Sequence, residues 1–353
     1  MQCLAPCGKM PHVAARIILN EHLSFDDVLL RPLYSEVRSR DDVSLVTELS
    51  SGLKLDLPLL AANMDTVCGE SMAITLAEMG GIGVLHRKMI PGERLRIVKT
   101  MVANNQKVGV AVGVHTLLSE IMAYLDCGVS MLVLDIAHGD SAHALDRVHQ
   151  IRSVVEKRNS STCVMGGNVA TPEAVQRMYN AGAHSVKVGI GPGSACTTRI
   201  KTGVGIPQVT TILECSQAAD EYGISCVADG GMKTPGDVAK ALALGADAVM
   251  IGGMLSGTDE APGELVAIGS KQFKEFRGMA SKAVGSLYEE GASGMVPYKG
   301  SVKSIVWDIC KGLRSAFSYS GANNVEQFHL KAELIKISMA SVAMSKAYGL
   351  PNG

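Results

Sequence analysis

The chain has 353 residues, with 33 basic and 34 acidic side chains and a formal net charge of −1, so its charge gives no reason to expect binding to nucleic acid or to an anionic membrane surface. Hydrophobic residues make up 47% and charged residues 19% of the chain, which is enough to build a large core and too apolar for a disordered protein. No apolar run reaches about 18 residues, so we expect no transmembrane helix.

The N-terminal segment has no signal-peptide layout. We expect residues 1–22 to form a tail and residues 23–353 to form one catalytic domain. The chain contains nine cysteines at unrelated spacings, which is typical of reduced thiols in a cytoplasmic protein. Cys3 and Cys7 form one CxxxC pair, but nothing nearby completes a zinc site.

From Pro58 onward, short apolar runs rich in Val and Ile end in Gly, Asn, Asp or His. Continuous rather than alternating apolar runs indicate strands that are buried on both faces, as in parallel sheets. Eight such runs predict eight strands: Pro58–Asn63, Gly81–His86, Lys107–Gly113, Met131–Ala137, Thr162–Asn168, Ser185–Gly191, Ser225–Gly231 and Ala248–Gly253.

The segments between these runs are typical of amphipathic helices. Pro172–Ala181 and Pro235–Leu244, for example, begin with Pro and end before Gly. Repeated β/α units predict an α/β fold, a closed (β/α)₈ TIM barrel, with an open doubly wound sheet as the alternative. In a barrel, functional residues gather at the C-terminal ends of the strands.

Two segments are longer than this pattern requires. We expect a long loop over residues 193–211, after the sixth strand, and a Gly-rich segment over residues 255–299, after the eighth. The segment Ser301–Arg314 then carries a helical apolar stripe at Ile305, Ile309 and Leu313. Long loops inside a compact domain are usually functional lids or disordered segments.

The sixth strand ends in the sequence GIGPGSACTTR, residues 189–199. Pro192 and the lack of a following amphipathic helix argue against a dinucleotide-binding fingerprint. The glycines instead offer N–H groups to a phosphate or carbonyls to a cation. Cys196 in this loop is a candidate nucleophile, whereas a small buried hydrophobe is our interpretation for the remaining central cysteines: Cys127, Cys163, Cys215, Cys226 and Cys310.

The seventh and eighth predicted strands each end in a glycine pair, and the seventh also carries an acidic residue. Asp229 is followed by Gly230 and Gly231, and the eighth strand ends at Gly252 and Gly253. This pattern favours a phosphorylated ligand whose ribose hydroxyls bind a carboxylate, although a helix-capping role for Asp229 remains open. Further polar positions at strand ends are candidates, each with a structural role as the alternative: Asp135, His138, Asn168 and the segment His86–Lys88.

At these residues the sequence resembles the IMP dehydrogenase and GMP reductase family, from Ser24 to about Gly321. The motifs that carry the resemblance are SFDDVLLRP (24–32), ANMDTV (62–67), GGNV (166–169), the Cys196 loop, ADGG (228–231) and VPYKG (296–300). The resemblance implies a nucleotide oxidoreductase on a TIM barrel, with a flap over about residues 278–297.

Three features favour the reductase branch. Residues 197–205, TTRIKTGVG, resemble reductases, and no room exists between His86 and Val108 for the regulatory CBS modules that most dehydrogenases insert. The flap also contains no Arg-Tyr pair of the kind that dehydrogenases use to activate water. The resemblance therefore implies reductive deamination of GMP to IMP and ammonia with NADPH, through a covalent Cys thioimidate; an NAD-dependent IMP dehydrogenase without CBS modules is the alternative.

The resemblance also implies roles for particular residues and a homotetramer. The catalytic group would be Cys196, Thr198 and Glu290. Substrate would contact Ser194, Asp229, Gly230, Gly231, Gly252, Gly253, Gly278, Met279 and Gly291. The dinucleotide would contact Ser39, Arg40, Arg87, Asp135, Ile136, Ala137, Ser315, Ala316, Phe317 and Ser318. A monovalent cation, K⁺, would bind carbonyls of Gly191, Gly193, Cys196 and Arg199.

Some positions depart from the family pattern. Phe276 replaces a common Tyr, Leu287 a common flap Arg, and Arg87 a common Lys, which leaves the flap contacts and the cofactor preference open. A nucleotide sensor without turnover and an aldolase or isomerase are the other classes that we consider. An aldolase would use a Lys at a strand end, and we expect the nearest one, Lys187, to pack inside the barrel.

Overall fold

The computed structural model describes residues 17–282 and 289–344. The first strand, β1 (Val28–Leu30), pairs with a late strand, β15 (Leu334–Lys336), and thereby joins the two ends of the described chain. An antiparallel hairpin of β2 (Thr47–Leu49) and β3 (Leu53–Leu55) follows β1.

This hairpin covers the N-terminal end of the barrel. Leu49 and Leu55 are fully buried and belong to the cluster that fills the barrel interior. The N–H of Ser50 donates to Oγ of Ser225 at 2.7 Å, and Ser225 is the first residue of a barrel strand. The interior is therefore closed at this end, which leaves the opposite end for a ligand.

The predicted TIM barrel is confirmed. Eight parallel strands close on themselves, because the last pairs with the first. They are β4 (Leu59–Ala61), β5 (Ile82–Leu85), β6 (Val108–Val112), β7 (Met131–Leu134), β8 (Cys163–Val169), β9 (Ser185–Val188), β10 (Ser225–Asp229) and β11 (Ala248–Ile251). Each lies within or next to a predicted run, since strands buried on both faces need continuous apolar sequence.

Helices α1–α8 connect and follow these strands. They are α1 (Glu70–Glu78), α2 (Pro91–Ala103), α3 (Leu118–Asp126), α4 (Ala142–Lys157), α5 (Pro172–Asn180), α6 (Thr198–Thr202), α7 (Gln208–Tyr222) and α8 (Pro235–Ala243). The hydroxyl oxygens of Thr171 and Thr234 accept N–H groups in the first turns of α5 and α8, each of which has Pro at its first position. Both helices confirm the sequence-based expectation.

Two loop expectations need correction. The segment predicted as a loop over residues 193–211 contains α6, and α7 begins within it at Gln208. The segment 255–299 contains a three-stranded antiparallel sheet of β12 (Val266–Ile268), β13 (Lys271–Arg277) and β14 (Ser293–Pro297). The Gly269-Ser270 turn between β12 and β13 is a two-residue hairpin signal that sequence reasoning missed.

Three helices follow β14 in the described part of the chain, and the first two of them pack against α8. The helix α9 (Val302–Tyr319) extends five residues beyond the predicted Arg314, and α10 (Val325–Lys331) and α11 (Met339–Met344) follow. Within residues 17–282 and 289–344, no helix is long and apolar enough to cross a membrane. The Cys3–Cys7 pair and Leu287 lie outside the described residues.

A partly buried carboxyl group at the N-terminal end of the barrel predicts a pH dependence of stability. Burial raises the pKa of Asp247 from 3.8 to about 7, although the N–H of Cys226 donates to its Oδ2 at 2.7 Å. The folded protein therefore keeps a proton that the unfolded chain releases near pH 4, so this group makes stability fall as pH rises from about 4 to about 7.

Asp247→Asn keeps an acceptor for Cys226 and removes the ionisation. Each pKa unit corresponds to about 1.4 kcal/mol, so we expect the variant to gain on the order of a few kcal/mol relative to the wild type at pH 8. Urea unfolding of both proteins at pH 5 and pH 8 measures this. The same loss of stability between the two pH values in both proteins would contradict the assignment.

Candidate active site

The C-terminal ends of the barrel strands surround a cavity of about 320 Å³, a volume in the range of small-molecule sites. Its wall includes the Cys196 loop after β9, the glycine pairs after β10 and β11, and the flap that follows β13. The structure thus brings together the strand ends that the sequence marked as candidates.

Cys196 lies in this wall as part of a short chain of polar contacts. Its Sγ is 3.1 Å from Oγ1 of Thr198, and that hydroxyl donates to Oε2 of Glu290 at 2.8 Å. Cys196 is only partly buried. It is therefore accessible to a ligand in the cavity.

The other cysteines between Cys68 and Cys310 fit an inert structural role. Burial raises the pKa of Cys68 and of Cys215 to about 12 and raises the pKa of Cys163 and Cys226. Such thiols stay protonated and unreactive at neutral pH. Cys127 and Cys310 are partly buried and do not line the cavity.

Main-chain pairing places Glu290 beside the cysteine. The N–H of Thr197 donates to the carbonyl of Glu290 at 2.8 Å, and the N–H of Ala292 donates to the carbonyl of Ala195 at 2.9 Å. Gly291 pairs with Cys196 between these bonds. A Cβ on Gly291 would lie 2.9 Å from the backbone nitrogen of Ser281, so this crossing of two segments requires glycine.

Asp229, at the end of β10, is held by two side chains. Its Oδ2 accepts from Nζ of Lys187 at 2.8 Å and from Nδ2 of Asn168 at 2.9 Å. All three residues line the cavity. Asp229 is thus part of the cavity wall and does not cap a helix.

The structure confirms that Lys187 packs inside the barrel and adds a contact with the candidate site. The residue is buried and lines the cavity, and its ammonium donates to Asp229. Its neighbours Val186 and Val188 pack in the outer core, so alternation along β9 directs Lys187 inward. That alternation, together with its place next to the last residue of the strand, was the signal that sequence reasoning missed.

The candidate substrate residues all line the same cavity: Ser194, Asp229, Gly230, Gly231, Gly252, Gly253, Gly278, Met279 and Gly291. A Cβ on Gly253 would lie 2.6 Å from Oγ of Ser194. Glycine therefore keeps this corner open, so that main-chain N–H groups remain accessible to an anion. Phe276, which offers no hydrogen bond, also lines the cavity.

The candidate dinucleotide residues divide into two groups. Arg87, Asp135, Ile136 and Ala137 line the cavity, and Nε of Arg87 donates to Oδ2 of Asp135 at 2.7 Å. An apolar surface beside a carboxylate and a guanidinium fits an aromatic ring that carries a carboxamide, such as nicotinamide. His86 is buried, and burial lowers its pKa, so it does not supply a positive charge.

The second group of candidate dinucleotide residues lies outside the cavity wall. Ser39, Arg40 and Ser315–Ser318 do not line the cavity; the guanidinium of Arg40 is instead 5.7 Å from the ring centroid of Tyr319. Phe317 is fully buried and stacks on Phe328 with ring centroids 4.0 Å apart. The side chain of Phe317 is therefore unavailable to a ligand.

The residues proposed for a cation form part of the Cys196 loop. The carbonyl of Gly193 accepts the N–H of Cys196 at 3.0 Å, and the carbonyl of Arg199 accepts the N–H of Gly203 at 3.1 Å. Each carbonyl oxygen therefore keeps one lone pair for a cation. In the described part of the chain, no group of three or more His, Cys, Asp or Glu side chains could hold a metal ion.

The chain matches one protein-family model, and its relatives include enzymes of two different activities. The model described as "IMP dehydrogenase / GMP reductase domain" matches residues 22–348. An inosine-5′-monophosphate dehydrogenase from Cryptosporidium parvum is 35% identical, over 94% of this chain and 96% of its own length. A GMP reductase from Vibrio cholerae is 38% identical, over 89% and 94%, and one from Leishmania donovani is 29% identical, over 98% and 99%.

Proposed function

The chain belongs to the IMP dehydrogenase/GMP reductase family, and we propose that it is a GMP reductase that converts GMP to IMP and ammonia with NADPH. Family membership makes it an oxidoreductase of purine nucleotides that uses a nicotinamide cofactor. Since relatives of both activities match at similar identity, the choice between them rests on the site.

The observation that carries the proposal is the contact from Cys196 through Thr198 to Glu290. Reductive deamination needs a proton for the departing amine, and a hydroxyl bonded to a carboxyl group beside the nucleophile can deliver it. A dehydrogenase needs a base that activates water. No arginine occurs between Gly278 and Pro297, so the flap lacks the Arg-Tyr pair that would serve as this base.

The proposed reaction begins with the thiolate of Cys196, which adds to C2 of the guanine ring. The C2–N bond to the exocyclic amine then breaks, and Thr198 with Glu290 supplies a proton to the leaving ammonia. When held beside Arg87 and Asp135, NADPH would supply a hydride to C2, and the Cys196 thiolate would be the leaving group. Overall, the reaction consumes GMP, NADPH and one proton and produces IMP, NADP⁺ and ammonia.

The chain's own residues orient both ligands. Asp229 would accept the ribose hydroxyls, and the glycine-lined corner with Ser194 would hold the phosphate. A nucleotide bound in this way would have its guanine ring beside Cys196. Arg87 and Asp135 would hold the nicotinamide end of NADPH on the adjoining wall.

The second candidate is an NAD-dependent IMP dehydrogenase without CBS modules. The Cryptosporidium parvum relative, a dehydrogenase that is 35% identical over nearly the full length of both chains, favours it. The segment from His86 to Val108 contains α2 and no CBS module. A dehydrogenase without CBS modules would share this feature, so the segment is compatible with either activity.

An absorbance assay at the nicotinamide band distinguishes the two activities. With GMP and NADPH we expect absorbance to fall and one ammonia to appear per NADPH consumed; with IMP and NAD we expect no change. A rise of absorbance in the second mixture and none in the first would identify a dehydrogenase. Repeating the assay in K⁺ and in Li⁺ tests the proposed cation, and light scattering of the eluted protein tests the homotetramer.

A further inference from the structure

We propose that Lys187 is a positioning residue: with Asn168 it holds the Asp229 carboxylate so that one oxygen faces the ribose, and it thereby selects ribonucleotides over 2′-deoxyribonucleotides. The inference rests on the proposed function in one respect, namely that the ligand is a purine nucleotide whose ribose lies at Asp229.

The two oxygens of Asp229 have different environments. Oδ2 accepts from Nζ of Lys187 at 2.8 Å and from Nδ2 of Asn168 at 2.9 Å. Oδ1 has no hydrogen-bond partner within residues 17–282 and 289–344, and Asp229 lines the cavity. A carboxylate oxygen can accept two hydrogen bonds, so Oδ1 has the capacity for the vicinal 2′- and 3′-hydroxyls of a ribose.

Lys187 also helps to hold Asn168 in place. The ammonium donates to Oδ1 of Asn168, so the amide nitrogen faces the other way. That nitrogen donates to Asp229 and to the carbonyl of Gly189, the latter at 2.8 Å. Without the ammonium, Oδ1 of Asn168 loses its donor, and Asp229 keeps only the amide of Asn168 as a hydrogen-bond donor.

The ion pair between Lys187 and Asp229 is largely shielded from water. The side chain of Lys187 is 6% exposed and that of Asp229 is 21% exposed, with 2.8 Å between the charged atoms. Charges removed from water need partners at hydrogen-bonding distance, and a carboxylate that loses such a partner moves or is poorly solvated. Removal of the Lys187 ammonium should therefore weaken substrate binding, because Asp229 would no longer be held in place.

The consequence is a preference for the 2′-hydroxyl. An acceptor held in place for a hydroxyl is left unpaired by a ligand that lacks it, and sites of this kind discriminate strongly. We expect the wild type to prefer GMP over 2′-deoxy-GMP by about 100-fold or more in kcat/KM.

The test compares Lys187→Met, which keeps length and loses charge, with Lys187→Arg, which keeps charge. We expect Lys187→Met to lower kcat/KM for GMP roughly 30-fold, mostly through KM, and to reduce the preference for GMP to about tenfold or less. Lys187→Arg should retain most of the preference. Asn168→Ala, at a partly exposed position, should weaken the preference as well and serves as a second variant if Lys187→Met does not fold.

Lys299→Met is the matched control. The ammonium of Lys299 donates to the carbonyls of Gly253 and Met254, at 2.8 and 3.1 Å, in the corner proposed for the phosphate. Its loss should therefore weaken GMP and 2′-deoxy-GMP equally. An unchanged preference in both Lys187→Met and Asn168→Ala would overturn the inference and leave the reductase proposal intact.

Calorimetric binding of IMP and 2′-deoxy-IMP separates the two proposals. If the wild type shows no NADPH oxidation but prefers IMP, and Lys187→Met abolishes that preference, the reductase proposal fails and the positioning role stands. If the wild type binds both nucleotides equally, the positioning role fails. If the wild type binds neither, both proposals fail.

Discussion

Cys196→Ala is expected to abolish GMP reduction while GMP binding persists. Without the Sγ atom no covalent bond to C2 can form, and the hydroxyl of Thr198 has no adduct to protonate. Turnover should fall by roughly a thousandfold or more. NADPH absorbance measures the loss of turnover, and calorimetry with GMP measures the retained binding.

Intact-mass spectrometry gives an independent readout of the same step. Wild-type protein mixed with GMP in the absence of NADPH should gain the mass of GMP minus ammonia, and Cys196→Ala should gain nothing. Cys127→Ala is the matched control, because Cys127 is partly buried at the end of α3 and outside the cavity. Turnover retained by Cys196→Ala would contradict the covalent mechanism.

Glu290→Gln is expected to slow deamination more than hydride transfer. The glutamine side chain still fits beside Thr198 but cannot relay a proton through the contact that is 2.8 Å long in the wild type. General acid catalysis contributes about 10²–10⁴-fold, so kcat should fall by on the order of 100-fold. Because C–N cleavage then limits the rate, the isotope effect from NADPH deuterated at the transferred position should shrink toward unity.

Glu289→Gln provides the control for this prediction. Glu289 is the neighbouring acidic residue and is exposed, so its variant should keep both the wild-type rate and the wild-type isotope effect. An isotope effect in Glu290→Gln that equals or exceeds the wild-type value would argue against a proton-donor role, since hydride transfer would then be slowed at least as much as deamination.

The barrel could be predicted because its strands are marked by local sequence. Each buried strand requires several consecutive apolar residues, and runs such as Val108–Val112 and Ala248–Ile251 meet this requirement. The sheet of β12, β13 and β14 was missed because few of its residues are buried: β12 and β14 are mostly exposed, and β13 buries only Lys274 and Phe276, so no continuous buried apolar pattern marks the strands. Only the turn at Gly269 gave a signal.

Part of the candidate site could be predicted for the same reason. Asp229, Gly252 and Gly253 directly follow or end apolar runs, and parallel strands of a barrel place such ends at one edge. The family motif also implied a dinucleotide contact at Phe317, which stays a prediction. Since its ring is fully buried against Phe328, such a contact would have to come from the main chain, and the motif alone does not show this.

The sequence by itself determined the order of the eight barrel strands and the chemistry available at each strand end, because these depend on residues that are close along the chain. Only the tertiary structure decided that Glu290 meets Thr198 across 92 residues and that Lys187 reaches Asp229. The first contact depends on main-chain bonds between two separate segments, and the second on the inward face of a closed barrel. Both are set by packing between segments that are distant in sequence, which local patterns do not encode.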